Sequence, residues 1–359
     1  MVRNHIEEKV MNIEETLANI KPLDQQSMDI CKERWDSIAK PLHSLGKLED
    51  IIIKIAGMTG NHHIQPIKKA LVPMCADNGV VKEGVTQSDQ EVTALVSENF
   101  LKEKATASIM CKTVGADIFP VDIGIAVDTS IINRKIAYGT QNMAKGPAMT
   151  RSEAISAIEV GISMVEELMK KGYKMIATGE MGIGNTTTSS AMASVLLNQP
   201  VEIVTGRGAG LSREGLRRKV DVIKKAIKLN RPDPNDAIDV LAKVGGLDIA
   251  GIAGLFLGGA ALNIPVVVDG FISAVGALAA ANICPEVKNY MLASHMSKEP
   301  ASQLVLEALE LSPCLQCDMC LGEGTGAVAF FPLIDLALAV YQGMSTFGQI
   351  DLEAYVPLD

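Results

Sequence analysis

The strongest constraint on this chain's fold is a recurrence of short apolar runs, each closing on a polar residue or glycine and separated by longer stretches of helical periodicity. The runs are ALVPMCADNG at 70–79, ADIFPVDIG at 116–124, YKMIATGE at 173–180, VEIVTGRG at 201–208, IPVVVDG at 264–270 and NYMLASH at 289–295. Runs so short and apolar suit strands buried on both faces. Their alternation with helices predicts an α/β fold with a doubly wound, mostly parallel, Rossmann-like sheet. In such a sheet the carboxyl ends of the strands form the ligand crevice, so the Gly, Asp, Glu and His residues that end these runs belong there.

Neither end of the chain carries a convincing strand. Residues 1 to about 60 read as helical and hold the only Trp, Trp35, while from Ala327 a long apolar helix leads into a polar tail. The two ends are expected to pack together as a smaller helical domain, 1–60 plus 328–359, against a large α/β domain, 61–327. The span Ile249 to Val268 runs twenty residues without a charge, long enough to suggest a membrane helix. Asn263 and Pro265 interrupt it and Asp269 ends it, so it divides into a Gly/Ala-rich helix and a buried strand.

Charge narrows the partners. Acidic residues outnumber basic ones 42 to 33, a formal charge of -9, which disfavours nucleic acid and anionic lipid and leaves only local anion sites. The start, MVRNHIEEKVMNIEETL, lacks a continuous apolar segment and a small-residue cleavage site, so a cytoplasmic protein is expected. Seven cysteines, an odd number in a long chain, argue for reduced thiols. Cys314, Cys317 and Cys320 have metal-like spacing but no evident fourth ligand, and are read as small buried hydrophobes. No metal and no cofactor is expected. His62 and His63 are read as solvated, and His295 as the end of a strand.

Three Gly-rich loops carry the local signal for chemistry: GEMGIGNTT at 179–187, TGRGAGL at 205–211 and LGEGTGA at 321–327. Glycines let backbone N–H groups approach a phosphate, and a helix starting just after the loop adds its positive end. None has the Gly-Lys-Ser/Thr of a nucleoside triphosphate loop, and none completes a dinucleotide fingerprint, so a compact monophosphate fits best. Lys219 could add a charged donor to that phosphate or could be a solvated surface lysine. Glu323, an acid between glycines, stands where backbone N–H groups also point.

These segments, with SLGKLE at 44–49, ADNGV at 76–80, EGVTQSDQEVTA at 83–94, GPAMT at 146–150, GLRRKVDVI at 215–223, KVGGLDIAG at 243–251 and DGFIS at 269–273, resemble the nicotinate-nucleotide:dimethylbenzimidazole phosphoribosyltransferases. The resemblance runs from about residue 38 to about 345 with the motifs in family order. It implies transfer of 5-phosphoribose from nicotinate mononucleotide to 5,6-dimethylbenzimidazole, giving α-ribazole 5'-phosphate and nicotinate in cobamide assembly. It further implies Glu323 as general base. Substrate binding is assigned by the same resemblance to Glu180, Gly182, Gly184 and Asn185, to Gly206, Gly208, Gly210 and Lys219, and to Asp269, Ser297, Gly322 and Gly324. The aromatic base is expected beside Ser88 to Val96, and a homodimer is expected.

Three positions depart from the family pattern: His43 replaces a glycine in KPLHSLG, Asp89 stands where proline is common, and Val96 where some members are polar. The latter two bear on base selectivity, and His43 reads as a harmless surface change. A phenolic or purine acceptor, either in a single-chain enzyme or in a paired enzyme of unlike subunits, is the near alternative. A nucleotide-binding subunit without catalysis is the distant one, and the presence of Glu323 counts against it.

Overall fold

The computed structural model describes residues 11–355; the expected helical start over 1–10 and the last residues of the tail, 356–359, lie outside the described residues. Seven strands form one sheet: β1 (Lys69–Ala76), β2 (Asp117–Ile118), β3 (Val121–Gly124), β4 (Ile132–Asn133), β5 (Met175–Met181), β6 (Val266–Val268) and β7 (Met291–Ala293). Their order is β4-β3-β1-β5-β6-β7, with β2 also on β1, and every pairing is parallel. All eight residues of β1 are buried, so both faces of the sheet are covered, as the apolar runs require.

The helices are α1 (Ile13–Asn19), α2 (Gln25–Ser37), α3 (Lys47–Thr59), α4 (Glu91–Leu101), α5 (Thr106–Val114), α6 (Arg151–Lys170) and α7 (Asn185–Leu196). They continue as α8 (Val201–Val204), α9 (Arg213–Asn230), α10 (Ala237–Val244), α11 (Leu247–Ala261), α12 (Phe271–Ile283), α13 (Ser302–Ala308) and α14 (Thr325–Gly343). Helix α11 lies over β1, β3 and β5 and packs against α6. The two helices meet on glycines: a Cβ on Gly254 would sit 1.9 Å from the Ile158 carbonyl oxygen, and one on Gly161 2.1 Å from that of Gly251. The uncharged stretch from Ile249 divides as expected into most of α11 and then β6.

One apolar run is not a strand. VEIVTGRG folds as the single turn α8 followed by a loop. Strand alternation would put Val201 and Ile203 on one face, whereas Val201 and Val204 are buried and Ile203 is 52 % exposed, the i, i+3 pattern of a helical turn. The preceding Pro200 cannot donate to a ladder, which further disfavours a central strand there.

The two chain ends meet. Trp35 in α2 stacks 5.2 Å from Tyr341 in α14, Arg34 donates to the Met344 carbonyl at 2.8 Å, and Ile38 bridges Thr346. Helix α1 instead lies against α6 and α11. Among the described residues one helix, Thr325–Gly343, is long and apolar enough to cross a membrane by composition, but half of it is buried inside the protein and it carries Pro332.

Candidate active site

The carboxyl ends of the strands open onto a cavity of about 330 Å³. Strand β5 delivers Glu180 to it, β6 leads to Asp269, and the turn after β7 brings His295 and Ser297. The third Gly-rich loop closes one wall. There Gly322, Glu323 and Gly324 take φ of +89°, +62° and +91°, three successive left-handed residues just before α14. A non-glycine residue held in this region is strained, and such strain collects at functional loops.

Two buried carboxylates hold the loop. Asp269 accepts from the Gly324 N–H at 3.2 Å and the Ala327 N–H at 3.0 Å, so its carboxylate caps the start of α14. Glu180 accepts from the Glu323 N–H at 3.3 Å, and a Cβ on Gly322 would meet the Glu180 Oε1 at 2.2 Å. Only glycine lets that carboxylate lie against the loop. The Glu323 side chain is half-buried and accepts from the Ala107 N–H at the start of α5 at 3.0 Å.

Behind this wall the carboxylates outnumber their cations. Asn185 donates through its side-chain amide both to Glu180 and to the Asp248 Oδ2, the latter at 3.1 Å. Burial pushes Glu180 up to about 8, opposed by the Asn185 bond and reinforced by Asp248 and Asp269. Burial likewise raises Asp248 to about 7. Asp269 and Glu323 are raised as well, in each case mainly by burial; His295 offsets part of the shift at Asp269, and the Ala107 N–H part of that at Glu323.

The far end of the cavity is basic. Lys219, on the inner face of α9, is fully buried rather than a solvated surface lysine. Its ammonium donates to Thr186 Oγ1 at 2.8 Å and to the Gly206 carbonyl at 3.2 Å, and burial holds its pKa down to about 8. Of the residues the sequence singled out, Ser88, Val96, Glu180, Gly182, Gly184, Asn185, Gly208, Asp269, Ser297, Gly322 and Glu323 line one cavity. Gly206, Gly210, Lys219 and Gly324 stand just behind its wall: Gly210 accepts from Gln87 of the lining, and Gly206, Lys219 and Gly324 make the bonds given above.

Several lining residues were not singled out within or beside the sequence motifs. Thr186 follows Asn185 in the first Gly-rich loop, Arg207 lies within the second, and Glu299 follows Ser297. His295 is 4 % exposed, lines the cavity and shares a hydrogen bond of 3.1 Å between its Nδ1 and Ser294 Oγ. Its position at a strand's carboxyl end was itself the signal. Asp248 lies behind the lining; it stands within KVGGLDIAG but was not singled out as a site residue.

The cysteine expectation needs correction. Cys317 and Cys320 are exposed and Cys314 only partly buried, because 312–321 runs as an irregular loop over the sheet edge, with Cys320 on the cavity lining. Among the described residues, no three His, Cys, Asp or Glu side chains converge so as to hold a metal ion. His63 is exposed and His62 half-buried.

Comparisons with known proteins agree with one another. A sequence family described as "Phosphoribosyltransferase" matches residues 20–351. The nicotinate-nucleotide–dimethylbenzimidazole phosphoribosyltransferase of Acetivibrio thermocellus is 54 % identical over 346 residues, 96 % of this chain and 99 % of that protein. The protein of the same name from Ruminiclostridium cellulolyticum is 50 % identical, covering 97 % of this chain and 100 % of its own. Among solved structures, CobT from Thermus thermophilus superposes with a TM-score of 0.87 at 37 % identity, over 92 % of this chain and 100 % of that one.

Proposed function

The chain belongs to the family of nicotinate-nucleotide–dimethylbenzimidazole phosphoribosyltransferases, and from that premise we propose how its cavity performs the transfer. The enzyme moves 5-phosphoribose from nicotinate mononucleotide to 5,6-dimethylbenzimidazole. One observation carries the assignment to this site: the cavity is bipolar, with buried carboxylates Glu180 and Asp269 beside Glu323 at one end and Lys219 behind the other. Nicotinate mononucleotide is bipolar too, with a cationic pyridinium at the anomeric carbon and an anionic phosphate at the far end.

The chemistry follows from that match. A pyridinium leaves with a neutral ring nitrogen, so no acid is needed to expel it. The anomeric carbon gains oxocarbenium character, which Asp269 and Glu180 stabilise from their buried positions once the entering pyridinium cation has drawn off the proton that burial holds on Glu180. The benzimidazole attacks from the opposite face, inverting the configuration, and loses its ring N–H proton to Glu323. Burial helps here, because a carboxylate raised from its ordinary range is a stronger base. The strained turn and the Ala107 N–H orient that carboxylate.

The aromatic base fits the wall formed by Val85, Ser88 and Val96, and the phosphate fits the second Gly-rich loop with Lys219. We further propose a cytoplasmic homodimer, supported by exposed apolar side chains on neighbouring helices: Leu95 and Leu101 on α4, Ile109 on α5 and Leu336 on α14. The helical ends, 1–60 and 328–359, would form its smaller unit. The test is incubation of the purified chain with nicotinate mononucleotide and, separately, 5,6-dimethylbenzimidazole, phenol and adenine. Nicotinate release with the benzimidazole and an inverted product supports the proposal. Release only with phenol or adenine would overturn the choice of acceptor.

A further inference from the structure

Glu299 has no part in the chemistry described above, yet it faces the phosphate end of the cavity. It belongs to the cavity lining, and its Oε2 is buried without a hydrogen-bond donor. That oxygen lies against the second Gly-rich loop so closely that a Cβ on Gly206 would be 1.9 Å from it. Gly206 also supplies the carbonyl that takes the Lys219 ammonium, so the carboxylate and the ammonium flank the same residue. They feel one another. Burial raises Glu299 while Lys219, and more weakly the Gly208 N–H, draw it back down; burial lowers Lys219 while Glu299 draws it up. Lys219 nonetheless spends its hydrogen bonds on Thr186 and Gly206.

An acceptor oxygen buried without a donor costs free energy, and here its charge is offset chiefly by a neighbouring cation. A phosphate entering beside Lys219 would meet that carboxylate as a like charge. We propose that Glu299 is the internal counter-charge of Lys219, which an entering phosphate must displace and which thereby sets how tightly the phosphate end of the ligand is held. A nucleotide brings a phosphate and takes over Lys219. A nucleoside leaves the Lys219 and Glu299 charges facing one another and gains nothing from the cation. This inference rests on the phosphate assignment made above and names the residue that limits how tightly the phosphate is held.

The experiment compares the wild-type enzyme with Glu299→Gln, Glu299→Ala and Lys219→Met. It measures KM for nicotinate mononucleotide, KM for nicotinate riboside, and inhibition by inorganic phosphate. Removing the charge in Glu299→Gln is expected to tighten inorganic phosphate on the order of tenfold, to lower the KM for the mononucleotide, and to leave the riboside unchanged. Glu299→Ala should move phosphate binding in the same direction, which guards against an effect peculiar to the amide. If Glu299→Gln weakens mononucleotide and riboside alike, the carboxylate holds the ribose hydroxyls and the proposal is overturned. Unchanged phosphate binding in both variants also overturns it. Lys219→Met separates the two levels: if it leaves phosphate inhibition intact, the phosphate assignment itself is wrong, whereas loss of inhibition there with no gain in Glu299→Gln defeats only the role given to Glu299.

Discussion

At the scale of single residues, the site stores unfavourable charge and conformation. Glu180 and Asp248 ionise near 8 and 7 when folded but in the ordinary carboxylate range when unfolded. The folded state therefore holds more protons across that interval, and stability falls as pH rises from the ordinary carboxylate range through about 8. Urea midpoints of the ligand-free protein measured across this interval should decline steadily, and saturating nicotinate mononucleotide should flatten the decline by supplying a cation; a midpoint that rises toward pH 8 would contradict the burial argument. His43 presents a simpler case. It takes φ +55° at an exposed turn where the family pattern has glycine. Replacing it with glycine relieves a strain of about 1 kcal/mol, partly offset by the entropy of the unfolded chain, so His43→Gly should be equal to or slightly above wild type in thermal stability. The sequence displayed the glycine substitution but not the backbone angle, so His43 read as harmless. Glu323 and Lys219 were legible because motifs flank them. Glu299, and Asp248 despite its place in KVGGLDIAG, were not, because nothing in the pattern shows a buried carboxylate reached through Asn185 or across Gly206.

At the scale of elements, strands and loops followed from local pattern wherever one period dominated. Five of the six runs supplied β1, β3, β5, β6 and β7, and each Gly-rich loop was followed by a helix, α7, α9 and α14. VEIV failed because four apolar-rich residues fit either period, and burial of Val201 and Val204 decided for a helical turn. The crossing of α6 and α11 was invisible in the sequence, since Gly161 and Gly254 lie far apart along the chain. There Gly254→Ala would force a methyl group to within 1.9 Å of the Ile158 carbonyl oxygen, where only backbone can give way. We expect a loss of about 1–3 kcal/mol in chemical denaturation with little change in nucleotide KM. A neutral effect would mean that the helices separate freely.

At the scale of the whole molecule, a parallel sheet gathers three distant Gly-rich loops at one edge, so a bipolar cavity arises from topology rather than from any one motif. The exposed leucines on α4 and α14 flank α5, whose first turn holds Glu323, so association there would brace the catalytic wall. Leu95→Glu combined with Leu336→Glu should convert a dimer into a monomer in sedimentation velocity at micromolar concentration; a wild-type monomer would refute the dimer. The central claim concerns Glu323, and the most direct measurement is nicotinate release by Glu323→Gln with 5,6-dimethylbenzimidazole as acceptor, alongside binding of nicotinate mononucleotide to the same variant. Loss of the proton acceptor with the donor site intact predicts a fall in turnover of about 10²–10⁴-fold while nucleotide affinity stays near wild type. Turnover at the wild-type rate by a folded, nucleotide-binding Glu323→Gln would contradict the role of Glu323 as the base.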